Sequence, residues 1–130
     1  FGVSVDKDLI EKFDEYVKSQ GYINRSAAIG DLIRDKLIEE KIKEPENVSF
    51  GTIVFVYNHE KREINDKLVE LQHNYLDIII FNTHIHIDKR NCIENIVVKG
   101  KNSRIFSLAK DLRAIKGVLT VKLILTDINP

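Results

Sequence analysis

The run DIIIFNTHIHIDKRNCIENIVVKG (77–100) restricts the possible folds more than any other segment of this chain. Two β-branched stretches, 77–87 and 92–100, flank the polar tetrapeptide DKRN (88–91), which reads as a hairpin turn. Strand side chains alternate between faces, so His84 and His86 project the same way. If the hairpin pairs residues whose numbers sum to 178, Cys92 stands opposite His86, with Cβ atoms about 5 Å apart. Two imidazoles and one thiol then come within reach of a single ion.

The surrounding pattern places this hairpin inside a larger unit. Residues 51–57 (GTIVFVY) read as a strand, and Ile64, Leu68 and Leu71 mark a helix over about 62–73. After the hairpin, Ile105, Leu108, Ala109 and Leu112 mark a second helix over about 102–115, and Gly117 precedes the strand VLTVKLILT (118–126). The order β-α-β-β-α-β is the split-βαβ, ferredoxin-like pattern. The fold class expected is therefore α+β, with this domain occupying 51–130.

Residues 1–43 follow a different pattern. FGVSV (1–5) is a short alternating strand, and Asp6 is a suitable N-cap for a helix over about 7–19. Gly21 ends that helix, and Asn24 or Ser26 caps a second one with an apolar stripe of Ala28, Ile29, Leu32, Ile33 and Leu37. Residues 44–50, with Pro45 and polar neighbours, read as a linker. A strand and two helices cannot bury a core alone. Pairing of the strand with that of a second chain gives an antiparallel ribbon over four helices, the ribbon–helix–helix arrangement. Such a ribbon fits the DNA major groove, with Gly2 and Ser4 facing outward. The helix start at Asn24, Arg25 and Ser26 offers N–H groups and a cation to a phosphate. Eight basic against nine acidic residues in 1–43 weigh on the other side, because DNA binders carry a basic footprint. A plain dimerisation module is the alternative.

Composition narrows the classes further. Charged residues are 31% of the 130 and balance to zero, so no global field favours nucleic acid or membrane. No apolar run approaches the roughly 18 residues of a membrane span, and no signal-peptide pattern is present, which points to a cytoplasmic protein without membrane association. The single cysteine excludes an internal disulfide and leaves the thiol free to ligate. The chain starts at Phe1 and has no methionine, so residues are expected to precede it. Only four histidines occur, and three of them lie with the cysteine inside twenty residues. A fourth ligand beside His84, His86 and Cys92 would come from elsewhere, with His73 the leading candidate. A strand histidine is also commonly an ordinary surface or core residue, and a cysteine a small buried hydrophobe. His59, just after a strand, reads as a surface loop residue. An enzyme using Cys92 as nucleophile and His84 or His86 as base lacks an accompanying acid/base carboxylate or oxyanion feature.

With both halves in view, the chain resembles the nickel-responsive transcriptional regulators, the NikR family, over essentially its whole length. The matching residues are FGVSVD (1–6), GYINRSAAIGD (21–31), VYNH (56–59), LQH (71–73), HIH (84–86), NCIE (91–94) and KG (99–100). His73, His84 eleven later, His86 two later and Cys92 six later reproduce the family's ligand spacing. The resemblance implies a ribbon–helix–helix domain (1–43) joined to an ACT-like domain (51–130) in a homotetramer, a dimer of dimers. It implies one Ni(II) per chain, held square-planar by His84, His86 and Cys92 of one chain and His73 of a neighbour. It also implies binding of double-stranded operator DNA as a nickel-dependent repressor, with Glu94 orienting a ligand imidazole. Nitrogen and sulfur donors in a plane suit Ni(II) or Cu(II), and zinc prefers a tetrahedron. An ACT-like small-molecule sensor or nickel-buffering protein without DNA binding is the alternative function.

Two departures stand out. Ala27 replaces a glutamate that in the family joins Asp31 in a weak second cation site, and Gly30 replaces an arginine. The family also carries an arginine immediately before the position of Phe1.

Overall fold

The computed structural model describes residues 1–129; Pro130, the last residue of the expected second domain, lies outside them. The chain divides into two compact units, 1–39 and 40–129. Among the described residues, no helix is long and apolar enough to cross a membrane.

The first unit holds α1 (Lys7–Ser19) and most of α2 (Arg25–Ile42). Asp6 begins α1 through its carbonyl, which accepts from Ile10 N–H at 3.0 Å; its side chain makes no cap, contrary to expectation. The end of α1 closes as expected of glycine. Gly21 takes φ +78°, its N–H donates to Lys18 O at 3.2 Å, and Tyr22 N–H donates to Val17 O at 3.1 Å. Those two bonds satisfy carbonyls that a helix end otherwise leaves orphaned. Between the two candidate caps of α2, it is Asn24 that acts, its Oδ1 accepting from Ala27 N–H at 2.9 Å. Residues 1–5 lie in no strand, contrary to expectation. Phe1, Val3 and Val5 are all exposed in consequence.

The second unit contains β1 (Val48–Asn58), α3 (Ile64–His73), β2 (Ile79–His86), β3 (Asn91–Lys101), α4 (Asn102–Ala114) and β4 (Val118–Thr126). The four strands form one sheet in the order β2-β3-β1-β4, and every neighbouring pair is antiparallel. This is the ferredoxin-like topology read from the sequence. Alternate residues of β1 and β3 point to one face, where Ile53, Phe55, Tyr57, Cys92, Ile96 and Val98 are buried against Ile64 and Leu68 of α3 and Ile105, Leu108 and Leu112 of α4. The opposite face carries Val54, Val56, Ile93 and Val97 with the exposed Phe81, Ile85 and Ile124, and no helix of this unit covers it.

The expected linker 44–50 is not a tether. Residues 48–50 already belong to β1, and the preceding turn is pinned to the start of α4. Ser103 N–H donates to Pro45 O at 3.0 Å, and Asn102 N–H to Asn47 O at 2.9 Å. The fully buried Asn102 amide also donates to Lys41 O and Ile42 O at 3.1 Å and Glu44 O at 2.8 Å. One side chain thus closes the carbonyl end of α2. Pro45 and its polar neighbours suggest looseness by composition alone, and buried Asn102 overrides that signal.

Candidate metal centre

The β2–β3 hairpin turns on Asp88, whose Oδ1 accepts from Arg90 N–H and Asn91 N–H, both at 2.8 Å. Those backbone donors hold its carboxyl below the usual carboxylate range. The turn sets the register His86↔Cys92 and His84↔Glu94. On the other side of β3, Tyr57 stands opposite Cys92. His84, His86, Cys92, Glu94 and Tyr57 therefore share the helix-covered face of the sheet, at the end where α3 leaves a cleft of about 440 Å³.

Cys92 is fully buried, and its Sγ lies 3.3 Å from His86 Nδ1. Burial pushes its thiol above the ordinary value. His84 is held from two sides, with Nδ1 3.0 Å from Tyr57 Oη and 3.5 Å from Glu94 Oε1. Glu94 is almost entirely buried, and its Oε2 accepts from Gln72 Nε2 at 2.5 Å. Gln72 Oε1 in turn accepts from Asn82 Nδ2 at 2.9 Å. A polar chain thus runs from β2 through α3 to Glu94 and the His84 ring. Burial, and after it the nearby Glu94 carboxylate, raises the Tyr57 phenol far above its usual value. Tyr57 and Glu94 thus restrain the His84 ring from its Nδ1 side.

His59, read from the sequence as a surface loop residue, belongs to this cluster. Its N–H donates to Arg90 O at 2.8 Å, which brings the end of β1 against the hairpin turn. Its ring lies 5.1 Å from that of His86, edge to face. The nearest donor atoms of His59, His86 and Cys92 all fall within 4.8 Å of one another. His59 Nε2 is buried without a hydrogen-bond partner. The alternation Tyr57–His59 carries the signal for this placement, because β1 pairs with β3 up to Asn58↔Asn91.

His73 behaves differently. It is the last residue of α3, exposed, and it lines a separate surface cleft with Val69, Leu76 and Phe81. The chain does not bring it to its own His84, His86 and Cys92. The donor set around that trio is imidazole and thiol, which fits a borderline-soft transition ion and not a hard cation such as calcium.

The sequence-predicted nucleic-acid residues lie in the first unit. Gly2 and Ser4 are exposed on the extended N-terminal segment, and Ser26 is exposed in the first turn of α2. Asn24 is the α2 cap, and Arg25 pairs with Asp14 through two bonds of 2.7 and 2.8 Å. Both Asp31 oxygens are engaged, one by Tyr22 Oη at 2.8 Å and the other by the Arg34 guanidinium. The Asp31 carboxylate pushes the Tyr22 phenol up to about 12.

Comparison with known proteins agrees with both halves. Residues 50–126 match the NikR C-terminal nickel-binding domain, and residues 1–40 match the ribbon-helix-helix proteins of the copG family. A proposed nickel-responsive regulator of Thermococcus onnurineus is 46% identical over 97% of this chain and 91% of its own length. Another from Geotalea uraniireducens is 45% identical with the same coverage. In fold alone, the chain is similar to the ACT domain of a GTP pyrophosphokinase from Chlorobium tepidum. That match has a TM-score of 0.51 and 20% identity, covering 60% of this chain and 100% of that one. The uncharacterised protein TM1266 of Thermotoga maritima gives a TM-score of 0.57 at 23% identity, covering 62% and 100%. A ribbon–helix–helix sequence ahead of an ACT-like sheet that carries the nickel-binding signature makes this chain a member of the nickel-responsive regulator (NikR) family of transcription regulators, which are not enzymes.

Proposed function

We propose that this protein is a nickel-dependent repressor whose metal is shared between subunits. His84, His86 and Cys92 of one chain would hold one Ni(II) per chain together with the partner subunit's His73. The observation that carries this reading is the split of the four residues. Three share one sheet face through the hairpin register, and the exposed fourth is the last residue of α3 and lines a different cleft. When bound, the ion supplies a cross-link between two chains. The chain's own residues prepare for it: Glu94 and Tyr57 fix the His84 ring, and Gln72 fixes Glu94. Gln72 is adjacent to His73 on α3, so ordering that helix end and seating the buried carboxylate are one event.

Two exposed apolar surfaces support the homotetramer. The open face of the sheet, with Phe81, Ile85 and Ile124, suits association of sheet units. The extended segment with Phe1, Val3 and Val5 suits ribbon pairing in a DNA-binding dimer, which leaves Gly2 and Ser4 to face the major groove of operator DNA. Asn24, Arg25 and Ser26 would meet a phosphate at the start of α2. Nickel then favours the arrangement in which two dimers engage one operator, by binding it more tightly than the alternatives.

A second reading, a nickel-buffering protein without DNA binding, is favoured by one observation. Arg25 is already tied to Asp14 by two bonds, in a segment whose charge balance is negative. Operator binding measured at one fixed salt concentration, with and without nickel, separates the two. A nickel-dependent gain in affinity supports the repressor, and saturable nickel binding with no DNA affinity under any condition supports the buffer.

A further inference from the structure

We propose that the first turn of α4 carries the metal-bound state of the sheet unit to the end of α2, with Arg104 and Asn102 as the positioning residues. The proposal rests on the shared nickel site above, and in particular on His73 at the end of α3. Two sets of contacts converge on three consecutive residues. Asn102 and Ser103 hold the α2 side. No side chain caps α4; its first N–H groups donate instead to Asn47 O at 2.9 Å and Pro45 O at 3.0 Å, in the turn after α2. The Asn102 amide adds its bonds to Lys41 O, Ile42 O and Glu44 O. Arg104 holds the α3 side. Its Nη2 donates to Asn74 O at 3.0 Å and to Asp77 Oδ1 at 2.6 Å, and its Nε donates to Asp77 Oδ2 at 3.2 Å. The same guanidinium lies 4.3 Å from the centre of the buried Tyr75 ring. Asn74 is the C-cap of α3 and follows His73 directly.

Residues within one helical turn move together, because backbone hydrogen bonds fix them to one another. A guanidinium that meets a carboxylate through two nitrogens, and also a carbonyl and a ring face, holds one orientation, unlike a single-point surface ion pair. The 74–77 segment has a second tie to α4, since Tyr75 Oη donates to Asp111 Oδ2 at 2.6 Å. A shift at the end of α3 therefore reaches α4. On the α2 side the contact has room to yield. Asn102 Nδ2 has two hydrogens for three carbonyls, so one of the three always goes without this donor. Its Oδ1 is buried with no partner. The last turn of α2 can thus exchange which carbonyls it offers without leaving the amide. Seating His73 in a partner's site biases that exchange, and α2 continues back to Arg25 in the first unit.

Hydrogen exchange of the full chain, with and without nickel, tests the coupling. The reporters are the Lys43 and Glu44 amides, which donate to Glu40 O and Lys41 O at the end of α2. Nickel should slow their exchange on the order of tenfold in wild type. Arg104→Ala and Asp77→Ala should each keep the nickel–thiolate band at saturation and match wild type without the metal, yet lose the nickel-dependent slowing. Duplex DNA selected from random sequence by the nickel-loaded wild type gives a second readout: at fixed salt, both variants should gain less affinity on adding nickel. Faster exchange of both variants already without nickel would mark Arg104 as a plain structural contact and overturn the proposal. Full slowing by nickel in both variants would overturn it as well. If wild type shows the thiolate band but no slowing, this proposal fails and the nickel reading stands. If wild type shows no band, the nickel reading fails and takes this proposal with it.

Discussion

Glu94 Oε1 lies 3.5 Å from His84 Nδ1, directly across the β2–β3 ladder, and the carboxylate that supplies it is almost completely buried. A carboxylate in that position restrains the orientation of the His84 imidazole. Glu94→Ala should therefore weaken nickel roughly 10–100-fold without abolishing the thiolate band, as the loss of an outer partner of a ligand does. Competition with a chelator of known affinity reads the change. An unaltered affinity would reduce Glu94 to a packing residue.

Sharing of the metal between chains has its own signature. Cys92→Ala and His73→Ala should each lose the nickel–thiolate band when pure. Unfolded together and refolded as a mixture, they should regain part of it. A mixed pair can build one intact site from His84, His86 and Cys92 of the His73→Ala chain and His73 of the other. No recovery in a mixture shown to contain mixed oligomers would argue that the four ligands belong to one chain.

Two glycines should respond in opposite directions. A Cβ on Gly51 would meet Ile124 O at 2.4 Å, a backbone atom of β4 that cannot swing aside. Gly51→Ala should cost about 1–3 kcal/mol, visible as a lower midpoint in denaturant unfolding. A Cβ on Gly30 meets only the end of the Arg34 side chain, at 3.4 Å. Gly30→Ala should stabilise α2 by about 1 kcal/mol.

Asp127 offers a test by pH. Its side chain is 8% exposed, with Lys41 Nζ at 3.7 Å. The Asn129 N–H, at 2.8 Å, is the main cause of a carboxyl held below its ordinary 3.8. A depressed carboxyl contributes stability that is present above the unfolded value and lost as pH falls through 3.8 and below. Asp127→Ala should destabilise the second unit on the order of 1 kcal/mol at neutral pH. The difference from wild type should shrink toward zero in acid. Thermal melts of both chains across that range make the comparison.

Periodicity and turn chemistry made most of this molecule legible. The DKRN turn marks the hairpin, and pairing across it gives the register that Asp88 holds through its bonds to Arg90 and Asn91. Alternation in β1 and β3 yields the buried face. The part that stayed hidden depends on long-range packing. His59 looks like any polar residue after a strand until Arg90 draws it in, and Gln72 shows nothing of its bond to Glu94 twenty-two residues away. The segment 1–5 has a strand's sequence, yet it takes no ladder in the single chain.

The amide of Asn102 accounts for three carbonyls at the end of α2, so the last turn of that helix is built into the sheet unit's own fold. The natural cut point is thus near residue 40, inside the helix, and not in the proline-bearing turn that follows it. An isolated metal-binding fragment started at residue 44 would leave the buried Asn102 amide short of two of its three acceptors. A chimera that transplants this sensor onto a foreign DNA-binding head should carry residues 40–47 with the sheet. Altering the length of that stretch would then act as damage to the sensor's core, and not as adjustment of a tether.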